Sequence, residues 1–325
     1  MTPTSVQRPW GEFQLIRHFA ALSGKPSGRL VLGIGDDCAA IRRPGRGRLL
    51  LLTCDPVIEG IHFDRSATPF EIGWKAMARN LSDIAAMGGI PLYALAAASL
   101  PKNITQKKAM GIHKGMTSAA RRCGVRIIGG DTSRNPGGIH LTITLIGEVK
   151  SCEMITRSGA RVGDAVCVTG ALGASLRGKH LRFLPRISEA RFLAARHKPT
   201  SMMDLSDGLA GDLRRLAEQS RVGFEIWTDC LPISSELRRQ QLPRKAEITH
   251  ALADGEDYEL LFTLPPQEFP RLVRSWTRRF KIPLTRIGAV LPSAMGLRLK
   301  ASPACNRFAL LKIRAYDHFF ATFRK

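Results

Sequence analysis

Two periods of apolar recurrence take turns along this chain. Apolar runs that end in acidic turns, "GRLVLGIGDD" (28–37) and "GRLLLLTCDP" (47–56), read as strands. "PFEIGWKAMARNLSDIAAMGG" (69–89) repeats at helical spacing instead, with Pro69 suited to an opening turn and Gly88-Gly89 to a stop. "PLYALAAASLP" then predicts a buried strand, and "ITQKKAMGIHKGMTSAARRCG" a helix closed by Gly124. "VRIIGGDTS" is a strand running into a Gly-Gly-Asp turn. "IHLTITLIGEV" alternates as a strand with one wet face does.

Near residue 150 the pattern restarts. "RSGARVGDAVCVTG" predicts a turn and strand, "ISEARFLAARHK" a helix, "SMMDLSDGL" a turn, "AGDLRRLAEQS" a helix and "GFEIWTDC" a strand. "ALADGEDYELLFTLP" adds a turn and strand, followed by one more helix and strand before the tail. The alternation predicts an α/β or α+β chain in two parts, residues 1–150 and 151–325. No repeat of 20–50 residues shows itself.

Composition narrows the classes. With 325 residues, 44% hydrophobic, 30 Gly and 19 Pro, the chain suits a globular protein with a sizeable core. "MTPTSVQRPWGEF" lacks the apolar core of a secretory signal, and "IPLYALAAASLP" is too short to span a bilayer as a helix. Seven cysteines without a C-x-x-C pair argue against a disulfide framework or a zinc ribbon. The expected compartment is the cytoplasm. A net charge of +22 invites a nucleic-acid reading, since basic side chains bind phosphates by releasing counterions. The charge is dispersed, however, and no RNA-recognition signature, zinc finger or basic zipper accompanies it. Nucleic acid is disfavoured as the principal partner.

Two phosphate-loop patterns fail on inspection. "GIGDDC" ends in Cys38 where a dinucleotide fold needs Gly or Ala, and no predicted helix follows it directly. "GASLRGKH" (173–180) fits G-x-x-x-x-G-K, but His180 stands where Ser or Thr should hold magnesium.

The carboxylates carry more. Asp36, Asp37, Asp55, Asp83, Asp131, Asp204 and Asp207 are seven of only 27 acids, each in an apolar, glycine or small-residue setting. Asp37, Asp55 and Asp131 fall just after predicted strands, and Asp83 lies on a helix among apparent core residues. A buried carboxylate without a partner costs several kcal/mol or takes up a proton. Several are tolerable if they share a cation, and an all-oxygen set selects Mg²⁺ bridging to substrate phosphates. Any one has a plainer reading: Asp204 and Asp207 could cap the helix beginning near Leu209. Acids gathered this way would receive a nucleotide as its magnesium complex.

In order along the chain stand "GEFQLI", "GIGDDCA", "TCDPVIEGIHF", "ARNLSDIAAMGG", "IIGGDTS", "ITRSGARVGD", "DLSDGLAGDL", "GEDYELLF" and "YDHF". By these the chain resembles the thiamine-monophosphate kinases, of the superfamily of aminoimidazole ribonucleotide synthetase and selenophosphate synthetase. The resemblance implies a two-domain fold whose N-terminal strands join a partner's in an intersubunit barrel of a homodimer. It implies ATP-dependent phosphorylation of thiamine monophosphate to thiamine diphosphate, by direct in-line transfer with several Mg²⁺ ions. Carried over, Asp37, Thr53, Cys54, Asp55, Asp83, Asp131 and Asp204 would form the metal site, with Asp207 holding a further ion and Asp36 behind them. Gly130, Asp131, Arg157 and Ser206 would hold ATP, and His62, Glu256 and Tyr316 the thiamine phosphate. Asp83, Asp207 and Arg157 would be the catalytic residues.

Plainer readings stand beside these. His62 could be a turn residue packed beside Phe63, Arg157 a surface arginine, Glu256 a shaper of its turn, and Tyr316 a core aromatic of the tail. Cys54 stands where the family usually has threonine, and a thiol is a poor magnesium ligand, so only its carbonyl could serve. Rivals are another ATP-dependent enzyme of the superfamily, or a non-catalytic basic nucleic-acid-binding protein on this fold.

Overall fold

The computed structural model describes residues 11–43, 45 and 47–311, apart from the side chain of Phe13. The first half contains α1 (Glu12–Ser23), β1 (Leu30–Leu32), β2 (Ala39–Arg42), β3 (Arg48–Ile58), α2 (Pro69–Ala86), β4 (Ile90–Leu100), α3 (Gln106–Arg122), β5 (Arg126–Arg134) and β6 (His140–Lys150). Its sheet runs in the order β1-β2-β3-β6-β4-β5. Neighbours are antiparallel except β4 and β5. β3 and β6 pair over their full length, from Arg48 opposite Lys150 to Ile58 opposite His140. Alternation decides which face is inside: Leu49, Leu51, Thr53 and Val57 of β3 are buried beside Leu141, Ile143 and Leu145 of β6.

α2 and α3 cover that inner face. α2 starts as its sequence predicts, with Thr68 and Glu71 in a reciprocal capping box and Pro69 in the first turn. The two helices approach backbone to backbone. A Cβ on Gly73 would lie 1.9 Å from the Ile112 carbonyl oxygen, and one on Gly115 would lie 2.0 Å from that of Phe70. The opposite face of the sheet is open, with Tyr93, Leu95 and Ile128 exposed by 44%, 41% and 56%.

The second half contains β7 (Ala165–Thr169), α4 (Lys179–Arg182), α5 (Ile187–Arg196), β8 (Ser201–Asp204), α6 (Leu209–Ser220), β9 (Val222–Trp227), α7 (Ser235–Arg238), α8 (Arg244–Ala253), β10 (Leu260–Leu264), α9 (Phe269–Arg279), β11 (Leu284–Pro292), β12 (Leu297–Lys300) and β13 (Phe308–Leu310). Its sheet runs β13-β12-β9-β11-β7-β10-β8 and is covered on both faces. Val166, Val168 and Leu261 pack with Leu209, Leu213 and Leu216 of α6, while Cys167 and Phe262 pack with Leu193 and Trp276 of α5 and α9. The central strands β7 and β10 are therefore buried at every residue.

The chain alternation thus yields a mixed α/β two-layered half followed by a sheet sandwiched between helices. Four expectations need correction. "PLYALAAASLP" is not a buried strand: β4 is covered on one face only and leaves Tyr93, Leu95 and Ala97 exposed on the other. "SMMD" is the edge strand β8, not part of a turn. Asp55 and Asp131 lie within strands that continue past them, not at strand ends. Asp204 and Asp207 do not cap α6, whose N-cap is Gly208 with no side-chain cap. No helix among the described residues is long and apolar enough to cross a membrane. All seven cysteines are free thiols.

Candidate active site

α2 runs between the halves and brings their polar groups together. Asp83, on its inner face, meets Asp37 from the turn before β2 and Asp204 from the end of β8. One oxygen from each of the three lies within 4.8 Å of the others. Thr53, on the inner face of β3, donates its hydroxyl to Asp83 Oδ2 at 2.5 Å. Ser82, the residue before Asp83, donates to Asp204 Oδ2 at 2.5 Å. Neighbouring positions on one helix therefore hold one acid directly and orient another from the other half.

Close carboxylates resist ionisation together. Burial, followed by the charge of Asp37, pushes Asp204 up to about 7. Burial and then the charges of Asp55, Asp204 and Asp37 hold Asp83 well above the usual carboxylate range. Burial and Asp37 also raise Asp36 to about 7. The counter-charge at hand is Arg157, from the link between the halves. Its Nη2 donates to Asp37 Oδ1 at 2.6 Å and its Nε to Oδ2 at 3.3 Å. Its backbone N–H donates to Asp36 at 3.1 Å, which assigns Asp36 to positioning the link. The three carboxyls are a nest of hard oxygen donors that resist ionising together until a divalent cation arrives to share, the chemistry that suits such an ion.

The remaining expected residues are distributed around this nest. Asp55 is on the same inner face, but its Oδ2 accepts from Arg79 Nη2 at 3.0 Å and its N–H donates to Asn80 Oδ1. Cys54 points to the opposite face, where its Sγ accepts from the Thr144 hydroxyl at 3.4 Å. Asp131 also belongs to that opposite face: it pairs with Ala97, which pairs with Thr142, which pairs with Pro56. Three strand spacings, about 14 Å, separate it from β3. The structure therefore does not bring the side chains of Cys54 and Asp131 to the three-acid nest. Gly130 precedes Asp131 on β5, so close to β4 that a Cβ would sit 1.8 Å from the Ala96 carbonyl oxygen.

Asp207 is bound by Arg215, which also reaches the buried Asp212 at 3.3 Å. Ser206 is half-buried, and its carbonyl accepts the Glu256 N–H at 2.6 Å. His62 is buried; its Nδ1 accepts the Ile58 N–H at 3.1 Å, so the ring proton belongs on Nε2. Glu256 forms an ion pair with Lys75. Tyr316 lies outside the described residues. The G-x-x-x-x-G-K pattern is settled as structural, because Lys179 donates to Glu259 at 2.9 Å and to the Ala171 carbonyl.

Sequence reasoning missed Lys75, Arg79, Asn80 and Ser82. Their signal was present: Lys75, Arg79 and Asp83 recur every four residues on one face of an otherwise apolar helix.

This fold and site define a class, the AIR synthase related proteins. The family model of their N-terminal domain matches residues 35–149, and that of their C-terminal domain matches residues 167–299. A thiamine-monophosphate kinase of Rhodopirellula baltica is 38% identical over 271 residues, which span 81% of this chain and 84% of that protein. The solved structure of AaThiL complexed with AMPPCP and TMP superposes with a TM-score of 0.80 at 31% identity, covering 95% of this chain and 97% of that one. The thiamine-monophosphate kinase of Stenotrophomonas maltophilia K279a gives a TM-score of 0.72 at 32% identity over 90% and 98%. The chain belongs to the thiamine-monophosphate kinase family.

Proposed function

We propose that this protein transfers the γ-phosphoryl group of ATP to thiamine monophosphate, forming thiamine diphosphate. The observation that carries the reading is the convergence of Asp37, Asp83 and Asp204, from a turn, a helix and a strand of two different halves, on one oxygen-lined nest. The structure of AaThiL with AMPPCP and TMP supports the choice of substrates.

Asp37, Asp83 and Asp204 would hold Mg²⁺, with the Thr53 and Ser82 hydroxyls fixing two of the carboxylates. The bound ion supplies charge neutralisation and a template for the triphosphate. The acceptor is a phosphate monoester with a second pKa near about 6, so it arrives largely as a dianion and needs no strong base. What the protein must supply is alignment and relief of repulsion between two anions. Arg157 has the planar donor fork for oxyanions, and its present grip on Asp37 shows that it reaches the nest. Transfer is direct, without a phosphoenzyme. His62 and Glu256, flanking Lys75, mark the acceptor end, and Ser206 beside Glu256 joins it to the nucleotide end.

The open face of the first sheet, with Tyr93, Leu95 and Ile128 bare, supports a homodimer in which this face meets a second copy. Residues 1–150 would dimerise and supply part of the ATP and metal site, while residues 151–325 would form the C-terminal domain and supply Arg157, Asp204 and Ser206 to that site. Seven free thiols are in keeping with a cytoplasmic enzyme. The test is incubation with ATP and Mg²⁺ and either thiamine monophosphate or free thiamine. Diphosphate formed from the monophosphate alone is the expected result. Phosphorylation of free thiamine, or no turnover of either, refutes the reading.

A further inference from the structure

Lys75, Arg79 and Asp83 recur at i, i+4 and i+8 on α2, so they stand in a row about 12 Å long. Asp83 serves the metal nest and Arg79 grips Asp55. Lys75 occupies the far end and is fully buried. Its Nζ donates to the His62 carbonyl oxygen and to the Glu256 carboxylate. These two partners come from different halves of the molecule, one from the turn after β3 and one from the turn before β10.

The turn before β10 is held under strain. Glu256 and Tyr258 adopt φ of 55° and 50°, the left-handed region that side chains avoid. The Glu256 and Tyr258 N–H groups are tied to the Ser206 and Leu205 carbonyls at 2.6 and 2.8 Å. The carboxylate that this geometry projects is then met by the Lys75 ammonium. An aliphatic side chain would fill the same space without the desolvation penalty of a buried ammonium, so packing alone gives no reason for a lysine here.

We infer that Lys75 is a positioning residue: its ammonium fastens the His62 turn to the Glu256 turn and thereby sets the acceptor end of the cleft. Lys75 is fully buried and makes its contacts to protein groups, so it acts through His62 and Glu256 rather than on the phosphoryl group. The inference rests on the proposed reading of those two residues as the acceptor's contacts.

The test compares Lys75→Met, Lys75→Arg and Glu256→Gln by steady-state kinetics with thiamine monophosphate and ATP varied separately. Lys75→Met should raise the acceptor KM at least tenfold and leave the ATP KM within twofold. Lys75→Arg, which keeps the charge but not the point-like head, should fall between Lys75→Met and the native enzyme. The double variant Lys75→Met/Glu256→Gln should be no worse than the poorer single one, because the two residues act as a unit. Equal changes in both KM values, or a lower melting temperature with an unchanged acceptor KM, overturn the inference. Should Lys75→Met not fold, Lys75→Arg decides, and it must raise the acceptor KM alone by at least threefold. Glu256→Gln separates the two readings. If it leaves the acceptor KM unchanged, the acceptor site is misplaced. If it raises that KM while the Lys75 variants do not, only the role of Lys75 falls.

Discussion

Asp83 takes the Thr53 hydroxyl, lies beside Asp37 and Asp204, and belongs to the helix that joins the halves. Asp83→Asn keeps the shape and removes the charge, so turnover should fall by about 10²–10³-fold with the fold intact, as for loss of a principal electrostatic group. Near-normal kcat would refute its role. The same acids dictate a pH dependence. In the native protein Asp204 titrates near about 7, against 3.8 for an unperturbed carboxyl, chiefly through burial. Between those values the native state holds a proton that the unfolded chain has released. The contribution of Asp204 to stability is therefore fullest below about 4 and is lost as pH rises through about 7. In EDTA, the melting temperature of the native protein should drop relative to Asp204→Asn as pH goes from 5 to 8, and Mg²⁺ should restore it at pH 8 but not at 5. A gap that widens in the native protein's favour would reverse the sign and exclude mutual repulsion. At this scale the sequence was informative about acids, because an Asp in an apolar setting needs a reason. It set Lys75 and Arg79 at helical spacing with Asp83 but did not say what they bind, because a long aliphatic stem looks the same whether its head reaches water or a buried carboxylate.

Elements were legible where one face is wet, or where a mostly apolar run of five is buried on both faces as in β7 and β10, and opaque where the run is shorter. β6 alternates residue by residue, as "IHLTITLIGEV" does, because only one of its faces meets helices. β8 shows no alternation, since all four of its residues are buried, and four letters followed by "LSDG" read as a turn. α8 and the short α7 were not anticipated either, as their lengths and mixed polarity give the period little to act on. What the sequence did place, in "EIGWKAMARN" and "AMGIHKGMT", are glycines inside helices, where they cost about 1 kcal/mol against alanine. The structure supplies the reason at Gly73 and Gly115, which let α2 and α3 touch main chain to main chain. Gly115→Val should destabilise the protein by about 3 kcal/mol or more, because the clash is with a carbonyl that no rotamer change removes. α2 carries the nest, so activity should be lost with the melting temperature. Gly124→Ala is the control: it has open space around it, and its cost is set by its φ of 73° alone. Equal melting temperatures for Gly115→Val and the native protein would show that the helices can part without consequence.

The whole molecule is asymmetric in a way that local patterns do not reveal. Its second sheet is covered on both faces and its first on one, so apolar side chains of β4 and β5 stand in the open. β5 is also an edge strand and is exposed at every position except Ile127. A bare apolar face beside an unpaired edge invites association, and two copies of the same face satisfy each other by a two-fold axis. Leu95→Asp with Ile128→Asp places charge in that contact and should convert a species of twice the chain mass into monomer by sedimentation, while the first half keeps its own core. The consequence for activity follows from where Asp131 stands. It shares the open face with Leu95 and Ile128, opposite the face on which the acids converge at α2, and two strands lie between it and β3. If Gly130 and Asp131 serve the nucleotide, they do so from the face that the dimer completes, and dissociation should raise the ATP KM while sparing the acceptor KM. A monomeric variant with the native ATP KM would separate Asp131 from nucleotide binding and leave the inner nest of Asp37, Asp83 and Asp204 to hold the triphosphate alone.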